Sequence, residues 1–114
     1  MRSNQTQQRL QHVLNSIIEI ENYFKSISTY EDFKNNSLVL FASIKQLEII
    51  GEAVNHINTE VLLQQNHIPW NKIIGMRNML VHEYFGVNPE VIFTVIKFDL
   101  PPLKIAIENL ISAN

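Results

Sequence analysis

The stretch Gly75-Met76-Arg77-Asn78-Met79-Leu80-Val81-His82-Glu83-Tyr84-Phe85-Gly86 sets Arg77, Asn78, His82 and Tyr84 into an otherwise apolar helical pattern. An arginine fork matches two phosphate oxygens but cannot act as a base, whereas an imidazole moves protons at neutral pH. Together they suit reactions at a phosphate, RNA cleavage by attack of a 2′-hydroxyl on the adjacent phosphate among them. That reaction needs a proton acceptor, a donor to the leaving 5′-oxygen and positive charge on the transition state. DNA lacks the attacking hydroxyl. Such cleavage needs no metal and leaves a 2′,3′-cyclic phosphate or its hydrolysis product.

At about 100° per residue, Asn78 and His82 share a helix face, so the amide can orient the imidazole or donate to the same phosphate. Arg77 and Tyr84 align within about 20°, whereas Arg77 and His82 stand about 140° apart. The last two converge only if the helix end deforms, the long arginine reaches round, or a second subunit completes the site. The last option makes a symmetric dimer attractive, because a two-fold axis past this helix would bring two copies of each side chain into one groove. Arg77 also lies beside an apolar seam, with Ile73 and Ile74 one turn before it and Leu80 and Val81 one turn after. An unpaired guanidinium is costly there. Either Glu52 or Glu48 from a neighbouring helix pairs with it, or it awaits an anion, and a carboxylate that holds Arg77 until substrate arrives serves both ends.

The elements that position this stretch read as helices. Leu10, Val13, Leu14, Ile17, Ile20, Phe24 and Ile27 recur at steps of three and four, with Glu21 as a polar interruption, over about residues 7–27. Ser28 with Glu31 and Thr29 with Asp32 are overlapping helix-start signals that re-aim the chain. A second long helix begins near Asn36-Ser37, carries Leu40, Ile44, Leu47, Gly51 and Val54, and is expected to end around Asn58-Thr59. Gly51 in that stripe predicts close approach of another helix, because it otherwise costs about 1 kcal/mol relative to Ala. Val61 to Gln65 adds a turn. Ile68-Pro69-Trp70 opens the motif helix, which runs to about Tyr84, and Asn88-Pro89-Glu90 opens the last one. Pro101-Pro102 should kink or split that last helix near Leu100. The expected fold is therefore an all-α, antiparallel up-down bundle of four to five helices, in one domain spanning 1–114.

Composition narrows the function further. With 46% hydrophobic and 18% charged residues, 3 Gly and 4 Pro in 114, the chain can bury a core and is not low-complexity. Zero Cys excludes disulfides, a thiol nucleophile and thiolate metal sites. The polar first residues and the lack of a long apolar run predict a cytoplasmic protein without membrane contact. A net charge of −2 removes the whole-molecule basic field of a general nucleic-acid binder, so RNA contact must rest on a local patch. His12, His56 and His67 lack metal-ligand spacing and read as ordinary surface or boundary residues, so no metal is expected. Phe24, Phe33, Phe41, Trp70, Phe85, Phe93 and Phe98 fall at helical spacing and read as core or dimer interface. No nucleotide-binding fingerprint is present, and no cofactor is expected on this chain.

Arg77, four residues, His82, one residue, Tyr84 resembles the R-x4-H-x-Y signature of HEPN domains, specifically the HepT-like toxins of toxin–antitoxin pairs. Tyr30-Glu31-Asp32-Phe33, Ile49-Ile50-Gly51-Glu52-Ala53, Pro69-Trp70, Arg77-Asn78 and His82-Glu83-Tyr84 are similar to that family's landmarks, in order. The resemblance implies a metal-independent endoribonuclease acting as a homodimer, with Arg77 and His82 catalytic and Asn78 beside them. It also implies a minimal nucleotidyltransferase antitoxin that silences the toxin by transferring AMP to Tyr84. Glu52 and Glu83 stand as supporting residues. The alternative is a non-catalytic interaction subunit that binds a nucleotidyltransferase or a nucleotide through the same surface.

Overall fold

The structure, a computed structural model, describes residues 4–82 and 88–113, with the side chains of 79–82 outside that description. Helix α1 (Asn4–Tyr23) buries Leu10, Val13, Ile17 and Ile20 on one stripe, while Glu21 turns outward to an ion pair with Lys104 at 3.0 Å. A 3-10 turn at Phe24–Ser26 leads towards α2 (Tyr30–Lys34). Of the two start signals there, Thr29 with Asp32 forms the capping box. Asp32 N–H donates to Thr29 Oγ1 at 3.1 Å, and Asp32 Oδ2 accepts from the backbone N–H groups of Thr29 and Ser28.

Asn36 caps α3 (Ser37–Asn55) by accepting from Val39 N–H at 3.0 Å. Helix α3 stops short of the expected Asn58-Thr59 because Asn58 is committed elsewhere. Its side chain accepts from Glu60 N–H at 2.8 Å and starts α4 (Thr59–Leu62), followed by a 3-10 turn at Leu63–Gln65. Helix α5 (Trp70–His82) follows Pro69, and its root is fixed by the Trp70 indole N–H, which donates to Gln65 O at 3.0 Å. Asn88 caps α6 (Pro89–Thr94), with Pro89 in its first turn as expected.

The proline pair does not split the last helical run. A π-helical turn at Val95–Asp99 joins α6 to α7 (Leu100–Ala113), and Leu100 N–H reaches back five residues to Val95 O. The wider turn places Pro101 and Pro102 in the first turn of α7, where missing backbone donors cost least. The change of helix type thus falls where a kink was expected, without a break.

Helix α3 packs between α1 and α5, and α1 also packs on α7. The result is an all-α antiparallel bundle, with no strand among the described residues. Leu10, Ile17, Leu47, Ile50, Ile107 and Leu110 are among its fully buried side chains. Phe24, Phe33 and Phe93 cluster with ring centroids 5.2–6.1 Å apart, and Tyr30 packs edge-on against Phe93 at 5.5 Å. Phe41 and Phe98 stand outside this core at the surface of the chain, and Phe85 lies outside the described residues. Among the described residues no helix is long and apolar enough to cross a membrane.

Candidate active site

The site begins with a missing side chain. A Cβ placed on Gly51 would lie 2.7 Å from Arg77 Cβ and 3.3 Å from Ile73 O, so only glycine lets α5 approach α3 this closely. The close packing expected from Gly51 is thus present, and its partner on α5 is Arg77 itself. With its Cβ seated over Gly51, Arg77 extends to the next residue of α3. Its Nε lies 2.5 Å from Glu52 Oε2.

Glu52, not Glu48, is therefore the carboxylate that meets Arg77; Glu48 faces Lys45 at 3.7 Å. The Arg77 contact is close but poorly aimed. Glu52 Oε2 is shielded from solvent and yet receives no aligned hydrogen bond. The other carboxylate oxygen, Oε1, lies 2.9 Å from His56 Nε2. Arg77 Nη1 donates to Asn78 Oδ1 at 3.3 Å, so the Asn78 amide oxygen serves the arginine. The side chains of Arg77 and Glu52 are 39% and 47% exposed, which limits their pair to about 0–1 kcal/mol of stability. A guanidinium in so exposed a pair can exchange a carboxylate for a phosphate.

Arg77 and Glu52 border a cleft of about 440 Å³ between the α3 and α1 faces. His12 and His56, read from sequence as ordinary surface residues, are exposed as expected but line this cleft. Arg9 on α1 spans the two helices, its Nη1 donating to His56 O at 2.8 Å. Two local spacings hinted at this arrangement: Glu52 with His56 at i,i+4, and Arg9 with His12 at i,i+3. That the two pairs face one another is a tertiary fact that neither spacing contains.

His82 is the last described residue of α5, five positions beyond Arg77, and its side chain is outside the description. Glu83 and Tyr84 lie outside the described residues, as does any contact of theirs with Arg77 or Asn78.

An all-α bundle with Arg77 at a cleft, Asn78 beside it and His82 five positions later in sequence fits the HEPN-type domain that the sequence resembles. The family model described as "Ribonuclease HepT-like" matches residues 13–110. A candidate RNase of Methanocaldococcus jannaschii is 35% identical over 99 residues, which are 87% of this chain and 90% of that protein. The probable ribonuclease HepT of Thermococcus cleftensis is 38% identical over 101 residues, 89% of this chain and 91% of its own. A candidate RNase of Caldanaerobacter subterraneus subsp. tengcongensis is 36% identical over 102 residues, 90% of each chain. No solved structure matches significantly. The chain belongs to the HepT-like ribonuclease family.

Proposed function

We propose that this chain, as one domain spanning 1–114, is the toxin of a toxin–antitoxin module: a metal-independent endoribonuclease that works in the cytoplasm as a homodimer. The observation that carries the reading is the Arg77 guanidinium, seated over Gly51 at the rim of a cleft and held by a half-exposed, poorly aligned carboxylate. An arginine built for stability would be buried and bidentate, whereas one built to receive a phosphate must be able to release its resting partner.

In the reaction, His82 takes the proton from the ribose 2′-hydroxyl. The 2′-oxygen attacks the adjacent phosphorus, and the P–O5′ bond breaks as the leaving oxygen takes a proton from water, to which His82 returns the proton it accepted. Arg77 neutralises charge on the phosphorane-like transition state, and Asn78 keeps the guanidinium oriented or donates to the same phosphate. Two protomers sharing one cleft answer the roughly 140° between Arg77 and His82 on a single helix. A nucleotidyltransferase antitoxin would silence the enzyme by transferring AMP from ATP to the Tyr84 hydroxyl with release of pyrophosphate. The adenylyl phosphate would then stand where the RNA phosphate goes. Glu52 supports this site by holding Arg77 at rest, and Glu83, next to His82 in sequence, is its second supporting candidate.

The test is incubation of purified protein, shown by mass spectrometry to lack AMP on Tyr84, with structured and single-stranded RNA in excess EDTA. Cutting by wild type, with cyclic-phosphate ends, and none by His82→Ala is the expected result. Absence of cutting by an unmodified dimer would replace this reading with a non-catalytic interaction subunit.

A further inference from the structure

The cleft beside Arg77 continues past the motif, along one face of α3. Lys45, Glu48, Ile49, Glu52, Ala53 and His56 line it at steps of three, one, three, one and three, a stripe about 16 Å long at 1.5 Å per residue. Arg9 and His12 face that stripe from α1. The cleft thus gathers three of the chain's nine Lys and Arg residues and two of its four His against two carboxylates, in a molecule of net charge −2.

Its carboxylates are already engaged, Glu48 by Lys45 and Glu52 by Arg77 and His56. The negative end of the α3 dipole, which would repel an anion, is met by the Arg9 guanidinium on His56 O. That contact uses one of the five donors of Arg9. Ile49 and Ala53, both half-buried, supply the apolar part of the lining. A solvated helix face needs no such convergence of basic groups from two helices onto one apolar strip.

We infer that this cleft is a nucleotide subsite for the RNA strand next to the scissile phosphate. Resting on the ribonuclease reading above, the proposal assigns the phosphates on either side of the bound nucleotide to Arg9 with His12 at one end and to Lys45 at the other, and the ribose or base to Ile49 and Ala53 between them. It also sets the substrate class. A cleft of about 440 Å³ admits one splayed nucleotide, whereas paired RNA keeps its bases stacked inside the helix and presents only its outer surface. The substrate is therefore single-stranded at the position flanking the cut.

Fluorescence anisotropy on the full chain carrying His82→Ala, which prevents cutting, tests this with a labelled single-stranded octaribonucleotide and with the same sequence closed in a hairpin stem. Adding His12→Ala and Lys45→Ala, both at exposed positions, should weaken octamer binding by roughly tenfold and flatten the salt dependence by about one unit in slope. Lys104→Ala, which removes a cation paired with Glu21 on another face, is the charge control and should leave binding unchanged. The starting protein should bind the single strand more tightly than the stem. If the cleft variants bind as tightly as their parent while wild type still cuts RNA, the subsite is overturned and the ribonuclease reading stands. Equal binding of stem and single strand overturns the single-strand assignment. If wild type neither binds nor cuts any RNA, both readings fall together.

Discussion

On its α3 side, α5 borders the cleft of Arg9, Glu52, His56 and Arg77; between α5 and the run from α6 to α7 lies a groove of about 520 Å³ lined by Ile73, Met76, Val91, Leu100 and Leu103. The two spaces are similar in size and opposite in chemistry. In the first, charges are half-exposed and offset one another, so the lining adds little to stability and stays available for exchange. In the second, apolar side chains gain by leaving water, and part of that lining belongs to the core itself. One helix thus separates a charged, exchangeable surface from an apolar one.

Substitutions on the two sides should separate these roles, and the largest effect belongs to Arg77→Ala. RNA cleavage should fall by about 10²–10³-fold, equivalent to ~2.7–4 kcal/mol of barrier, while chemical denaturation reports a loss of at most about 1 kcal/mol. A loss of several kcal/mol in stability would make Arg77 a structural residue and erase the contrast. Leu103→Ala should do the reverse. Its side chain is 2% exposed, so unfolding free energy should drop by about 3 kcal/mol, with cleavage per folded molecule unchanged.

Gly51→Ala sits on the seam between the two roles. The new methyl must push α5 off α3, costing about 2 kcal/mol and displacing Arg77, so thermal melts and cleavage rates should worsen together. Unchanged cleavage would mean that the close approach does not set the arginine's position. The smallest effect is expected at Val91, which is 43% exposed in the apolar groove: Val91→Ser should change stability by no more than about 0.5 kcal/mol and leave cleavage alone.

What was legible in the sequence follows from how far each interaction reaches along the chain. The Thr29–Asp32 box and the Asn88-Pro89 start close within a few residues, so residue type alone announces them. Gly51 was legible because a glycine in an apolar stripe has few reasons to be there, although its contact with Arg77 itself was not. The choice between Glu52 and Glu48 stayed open, since both lie on the same face of α3 one turn apart and only the helix crossing selects one. The contact of Arg9 with His56, across 47 positions, was not legible: the acceptor is a backbone carbonyl, which carries no sequence signal. The π-helical turn was hidden for another reason. Prolines announce that a helix must adjust, but not whether it breaks or widens.

The Trp70 indole, 7% exposed and tied to Gln65 O, is the single tryptophan of the chain. Its emission reports the root of the helix that carries Arg77, and no other tryptophan contributes. In a denaturant titration, a red shift that precedes loss of the far-ultraviolet helical signal would reveal α5 leaving the bundle as a separate unit. Coincident curves would show that it unfolds with the rest. The molecule therefore contains an optical probe at the element whose placement matters most for the arginine.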